Sequence, residues 1–424
     1  HDREESIEKA HYRTLNWIYD DPKADDQSCS WDNFAAFLMS ETSMYWITGK
    51  PGSGKSTLMK FINEQPRTEE LLQQWAGDRE ILSASFYFFY KGSDKQKTAL
   101  GFLRSLLHLI LSQKKKLIPV IFNERCAAAL DGIGHPELTL PEAKRALRQL
   151  FRDSSHLCFF LTIDGLDEFD PEVSLTHVTS LIELTKTLGI FKNVKIVVSS
   201  RQLPEFEQGF EECPCLRIHE LTKQDIRQYA TERLESHRYM NTLIKRDPVN
   251  SRALIESVIS MSAGVFLWVR IVTQSLLQGL TNRDTINDLQ QRLEDLPSDL
   301  HDLYKVMLER VDQRYRNQTC ELLQLVYYGI LDDLDQLSAL GLWFAERADY
   351  NMTILTETRP IDDELVEDRV DEIESRLKSR CLGLVEVQPG PKSVFDRNRR
   401  GAVDENLTRA KVAFLHRTVT DFLR

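Results

Sequence analysis

Residues 45–60 read YWITGKPGSGKSTLMK, and the fold turns on how this stretch is read. Met44 to Thr48, MYWIT, is a short apolar run of strand type. It passes directly into Gly49, four further residues, then Gly54-Lys55-Ser56, the spacing of a phosphate-binding loop. The reason for that spacing is geometric. Glycines let successive backbone N–H groups turn inward around phosphate oxygens, and the helix that follows presents its N-terminal dipole to the same anion. Gly49, Pro51, Gly52, Ser53, Gly54 and Thr57 are expected to line the cradle. Lys55 is expected to neutralise the β- and γ-phosphates, and the Ser56 hydroxyl to hold Mg²⁺.

A complementary acidic strand follows. FFLTIDGLDE, residues 159–168, is an apolar run that carries Asp164 to its end. A carboxylate there can hold the metal's coordination shell, and Asp167 or Glu168 on the following loop can polarise an attacking water, with Glu168 the expected general base. Asp170 precedes Pro171 and reads as a helix cap only. VKIVVSSR, residues 194–201, is a further buried strand ending in Arg201. If that strand lies between the loop strand and the acidic strand, the guanidinium faces the γ-phosphate and can report its loss. The plain alternative is a salt bridge at a strand end.

Strand-type runs at 44–48, 81–90, 157–164 and 194–200, separated by helical stretches, imply crossover connections and a parallel sheet covered on both faces. The expected fold class is therefore α/β, a P-loop NTPase sheet. From Thr222 to about Arg316 the periodicity is helical, with Gly264 placed to start a helix packed closely on its neighbour. The last hundred or so residues hold an amphipathic helix and two strand-like runs, LGLVEV and KVAFLH. Helices followed by a two-stranded wing suggest a winged helix. The expected division is a helical lead-in over 1–42, a nucleotide domain over 43–220, an all-helical domain over 221–296 and a winged-helix domain over 297–424. A polar, turn-rich insertion occupies about 388–410.

Composition sets limits. A chain of 424 residues exceeds what one core usually serves. A net charge of −11 opposes a general nucleic-acid or anionic-membrane surface, leaving room for a local basic patch such as DRNRR within the insertion. No apolar run approaches the roughly 18 residues of a membrane helix. Seven scattered cysteines suggest a reducing, cytoplasmic setting rather than a disulfide framework. Cys213-Pro-Cys215 lacks a partner pair at finger-like spacing and reads as loop thiols. Lys114, Lys115 and Lys116 read as a solvated helix end. The chain opens at His1 without an initiator Met, which suggests a fragment.

Together these stretches resemble the NACHT-type signal-transduction NTPases, in the nephrocystin-like form common in large fungal intracellular receptors. The resemblance rests on WITGKPGSGKSTLMK, IDGLDE, VVSSR, GVFLWV, LPSDLHDLYKVMLERV and FLHRTVTDFL, and spans about Ala10 to the C-terminus. It implies that a winged helix folds back over bound ADP, with a histidine reaching the β-phosphate in the closed form. His416, in FLHRTVTDF, stands where the motif places that residue; His301 has no such support. Many relatives set a proline against the adenine near SAGVFLWV. Here Val265 and Phe266 follow the glycine, so adenine selectivity is less clear than phosphate binding. Trp17 or Ile18 could cover the base, although core packing is the plainer use of both.

The resemblance implies a nucleotide switch: closed with ADP, open and homo-oligomerising with ATP, reset by slow Mg²⁺-dependent hydrolysis. Effector and sensor parts would lie outside this chain, as in an NLR-like receptor of non-self recognition or cell death. The main alternative is an AAA-type remodelling ATPase turning over at order 1 per second or faster. That alternative needs an arginine finger and a substrate-gripping loop, and neither is identifiable. A nucleotide kinase would leave the long helical tail unexplained, and a DNA-binding module is opposed by the acidic balance.

Overall fold

The computed structural model describes residues 7, 14–21, 31–89, 92–131, 137–174, 177–331, 337–347, 363–388 and 410–424. The chain forms two compact units, 1–270 and 271–424.

The first unit is built on five parallel strands. They are β1 (Met44–Thr48), β2 (Glu80–Tyr87), β3 (Leu157–Asp164), β4 (Val194–Ser200) and β5 (Cys215–Arg217), laid side by side in the order β2-β3-β4-β1-β5. Every residue of β1, β3 and β4 is buried, as expected for central strands covered on both faces. The period of two sorts their side chains between two cores. Met44, Trp46, Phe159, Leu161, Ile163, Ile196 and Val198 face one; Tyr45, Ile47, Cys158, Phe160 and Val197 face the other.

On the second of these faces lie α1 (Phe34–Met39), α2 (Lys55–Glu64) and α3 (Pro66–Ala76), through Phe34, Phe37, Leu58, Ile62, Leu72 and Trp75. On the first lie α4 (Ala99–Gln113) and α5 (Leu140–Asp153), through Phe102, Leu106, Leu147 and Phe151. Lys195 of β4 projects into the α1 face, fully buried, and donates to the carbonyls of Phe37, Ser40 and Thr42 at 2.8, 2.9 and 2.8 Å. Those carbonyls close the C-terminal end of α1, where helix acceptors lack internal donors.

Among the described residues of the lead-in, helix is sparser than the apolar spacing suggests. Within its described residues only a short 3-10 turn, Asn16–Tyr19, and α1 are helical. The turn is held by a buried carboxylate on α6 (Lys223–Glu235): Trp17 Nε1 donates to Asp225 at 2.7 Å, and the Leu15 N–H lies 3.3 Å from both its oxygens. Ile18 is fully buried in the core. β2 ends at Tyr87, short of the expected Tyr90, which lies outside the described residues. Asp170 accepts the N–H groups of Glu172 and Val173, the cap its sequence indicated.

After β5 the first unit continues through α6, α7 (Pro248–Met261) and the start of α8 (Phe266–Thr281). The close approach expected at Gly264 is present. A Cβ there would sit 1.8 Å from the His219 carbonyl oxygen, and the residue has φ +78°, so only glycine fits without displacement.

The second unit contains α9 (Leu300–Glu309), α10 (Arg316–Leu331), α11 (Ala339–Arg347) and α12 (Asp363–Arg380). An antiparallel pair follows, β6 (Val385–Gln388) with β7 (Lys411–Phe414), and then α13 (Arg417–Leu423). The two strand-like runs of the sequence are thus paired. The polar insertion between them, with DRNRR, lies outside the described residues apart from its end positions. Among the described residues no helix is long and apolar enough to cross a membrane.

Candidate nucleotide site

β1 delivers the chain into the loop at Gly49, and α2 begins at Lys55. Gly52 and Gly54 hold φ of +71° and +96°, the left-handed backbone that glycine adopts without Cβ strain. Those two conformations turn the loop around its own centre. Ser56 and Thr57 stand in the first turn of α2, half-buried, with Gly54 as the residue that precedes the helix.

Lys55 lies folded over the loop. Its ammonium donates to the carbonyls of Gly49 and Lys50 at 2.8 and 3.0 Å. Burial pulls its pKa from 10.5 down to about 8; Asp167, Asp164 and Glu168 oppose that shift, and the Arg201 guanidinium adds to it. Charged groups from two other stretches of sequence, 159–168 and 194–201, therefore lie within electrostatic reach of this one lysine. Two nearby hydroxyls, Thr48 Oγ1 at the end of β1 and Ser53 Oγ in the loop, are buried with no hydrogen-bond partner. Unsatisfied buried hydroxyls are costly, and a loop that holds one beside inward-turned glycines fits a polyphosphate that supplies acceptors.

Asp164 closes β3 and is buried. Ser199 Oγ, on the adjacent strand β4, donates to its Oδ1 at 2.5 Å and accepts the Gly165 N–H at 3.0 Å. The carboxylate is thereby oriented from the adjacent strand, and its oxygens, like the Ser56 hydroxyl, are donors of the hard type that would suit Mg²⁺. Glu168 follows in a short turn, Leu166–Glu168, opened by Gly165 at φ +69°.

β4 does lie between β1 and β3, the condition set for Arg201. Its guanidinium, however, meets a carboxylate. Arg201 Nε lies 3.0 Å from Asp167 Oδ2, and its backbone N–H donates to Asp167 Oδ1 at 3.0 Å. Asp167, expected as a possible base, is thus engaged by the residue expected to sense phosphate.

His416 belongs to the second unit, where it caps α13: Nδ1 accepts the Thr418 N–H at 3.2 Å. An acceptor Nδ1 places the proton of the neutral ring on Nε2. Tyr304 and Thr418 share a hydroxyl hydrogen bond of 2.7 Å beside it, and His301 packs edge-on to Phe422. Cys213 and Cys215 carry free thiols whose pKa values burial raises, and Cys215 opens β5 rather than a loop.

Ser199 was not distinguished by sequence reasoning. The only available signal was its position on the strand next to Asp164, which requires the strand order. The loop, the acidic strand tip and a strand between them define the site of an α/β P-loop NTPase, and nucleotide binding is the chemistry it is built for.

Residues 13–201 match the family model described as Nephrocystin 3, N-terminal. The nucleotide-binding part of this chain is a NACHT-type, nephrocystin-like NTPase domain. Residues 310–424 match a second model, described as a domain of unknown function (DUF7791). No curated protein matches the chain.

Solved structures that are similar include a Walker-type ATPase of Pyrococcus abyssi, at 12% identity and TM-score 0.30, covering 96% of this chain and 99% of that one. The Drosophila ORC bound to DNA aligns at 12% identity and TM-score 0.37, covering 100% and 98%. PCH-2 of C. elegans aligns at 12% identity and TM-score 0.32, covering 62% and 65%.

Proposed function

We propose that this chain is a nucleotide-dependent switch in which ADP holds a closed form and ATP an open, self-associating one. The observation that carries the reading is the convergence of Lys55, Asp164, Asp167, Glu168 and Arg201 on one loop, with Arg201 held by Asp167. An arginine paired in this way can exchange its carboxylate for a γ-phosphate, since both offer oxygen pairs to the guanidinium fork. Such an exchange distinguishes triphosphate from diphosphate. A ligand shifts an equilibrium only by its differential affinity for the two forms.

In this reading Lys55 leaves the Gly49 and Lys50 carbonyls for the phosphates, and Ser56 and Asp164 hold Mg²⁺. Glu168 orients the water for slow hydrolysis. His416 donates from Nε2 to the β-phosphate of ADP, a role that its capped Nδ1 supports. Domains at 43–220, 221–296 and 297–424, the last a winged helix, belong to the same proposal. So do a cytoplasmic setting and a place within a fungal NLR-like receptor of non-self recognition, which rest on the family resemblance.

Identifying the nucleotide carried through purification tests the switch. Retained ADP with turnover far below 1 per second is expected; an empty site with steady turnover at about 1 per second or faster would instead mark a remodelling ATPase. Lys55→Ala should abolish binding, and intact binding in that variant would overturn the loop assignment.

A further inference from the structure

The first four backbone N–H groups of a helix have no acceptor inside it, and a side chain usually caps them. α8 is preceded by Ala263, Gly264 and Val265, none of which has a side-chain acceptor. Instead the Leu267 N–H donates to the carbonyl of Gly52 at 3.0 Å, in the middle of the phosphate loop. Lys50 of the same loop reaches the same turn, its ammonium donating to the Ala263 carbonyl at 3.2 Å.

The turn is braced from its other side. Thr222 Oγ1 donates to the Gly264 carbonyl at 3.3 Å, and Gly264 lies against the His219 carbonyl as described. Ala263 has φ +46°, a left-handed conformation that a non-glycine residue keeps only where its surroundings impose it. Gly49 rests on the same segment, since a Cβ there would lie 2.7 Å from Ile218 Cγ2 and 3.3 Å from His219 Nδ1.

We propose that Lys50 and the Leu267 N–H are positioning groups that make the phosphate loop the N-terminal cap of α8, so that loop occupancy and order in the first turn of α8 are coupled. The proposal rests on the loop being a nucleotide cradle. One peptide plane carries the Gly52 carbonyl and the Ser53 N–H, pointing opposite ways. A phosphate that draws the Ser53 N–H inward therefore holds the Gly52 carbonyl outward, toward Leu267. In this structure the Ser53 N–H makes only a long bond, 3.3 Å, to the Lys50 carbonyl. Coupling of this kind is reciprocal: the factor by which nucleotide orders the turn is the factor by which the turn tightens nucleotide.

Amide hydrogen exchange of the full chain with and without ADP tests it. In the wild type, ADP should slow exchange about tenfold across 265–270 as well as across 49–58. Lys50→Met should keep the protection at 49–58, lose most of that at 265–270, and weaken ADP binding by a matching factor. Leu267→Pro removes the donor in the first turn of α8, where the helix itself needs no N–H, and should do the same, while Leu267→Ala keeps the N–H and should behave as wild type. If Leu267→Pro does not fold, Lys50→Met decides. Protection at 49–58 with unchanged exchange at 265–270 would overturn the coupling; no protection at 49–58 would overturn the cradle itself.

Discussion

The Arg201 side chain and backbone both bond to the one carboxylate of Asp167, each at 3.0 Å. The side chains are 23% and 5% exposed respectively, so the pair is largely withdrawn from water. Removing one partner of a buried pair costs about 3–5 kcal/mol; partial exposure of Arg201 reduces that to about 2 kcal/mol. Asp167→Ala should lower the urea midpoint accordingly, with an unchanged slope. Arg201→Ala should reduce affinity for a non-hydrolysable ATP analogue much more than for ADP. Equal loss for both nucleotides would refute a sensing role.

Lys55 supplies a pH dependence. Its folded, ligand-free pKa is about 8, and a bound polyphosphate raises it. Between the free and bound values, binding takes up a proton, so affinity falls as pH rises, by at most about tenfold per unit. The fall should begin near pH 8. Calorimetry of ADP binding in buffers of different ionisation enthalpy should show proton uptake there, and Lys55→Arg, with its permanently charged guanidinium, should show none.

Lys195 gives a stability signature. Its folded pKa is lowered by burial from 10.5 to about 8, with Glu41 opposing the shift. The unfolded chain therefore binds more protons between those values, and the lysine's contribution to stability rises with pH across that window, by about 3 kcal/mol. Lys195→Met removes this rise. At pH 7 it also takes the ammonium donor from the Ser40 and Thr42 carbonyls, each costing about 1–3 kcal/mol, while the Phe37 carbonyl keeps the Ser40 N–H and hydroxyl. Against this stands relief of the buried charge. A net loss of about 2 kcal/mol is expected by urea unfolding, with the two proteins' pH profiles diverging above pH 8.

Asp225 anchors the lead-in through Trp17 and Leu15, and burial raises its pKa. Asp225→Ala should release the indole, seen as a red shift in emission that Trp17→Phe abolishes. The same substitution should leave the loop's nucleotide affinity within about twofold, about 0.4 kcal/mol. A large loss of affinity would mean that the lead-in takes part in binding.

The sequence disclosed the loop because its spacing is a backbone requirement: Gly52 and Gly54 occupy left-handed positions that few residues share. It disclosed β1, β3 and β4 because strands covered on both faces read as nearly continuous apolar runs. Ser199 stayed hidden, since its role depends on β4 lying beside β3, which no local pattern encodes. The loop's partnership with Leu267 stayed hidden because it uses a backbone donor more than two hundred residues away. Apolar spacing suggests a helical lead-in, yet at its described residues 15–19 Leu15 holds φ +71° and Asp225 binds Leu15 and Trp17 from outside. Tertiary contacts overrode local preference there.

The ammonium of Lys195 also limits where this molecule can be cut. A shortened chain starting at Met44 would keep every strand and the whole phosphate loop, yet would strip a charge inside the sheet of all three of its oxygen neighbours. The smallest autonomous version of the nucleotide domain must therefore begin upstream of Phe34, and any effector fused ahead of it joins to a segment already tied into the central sheet.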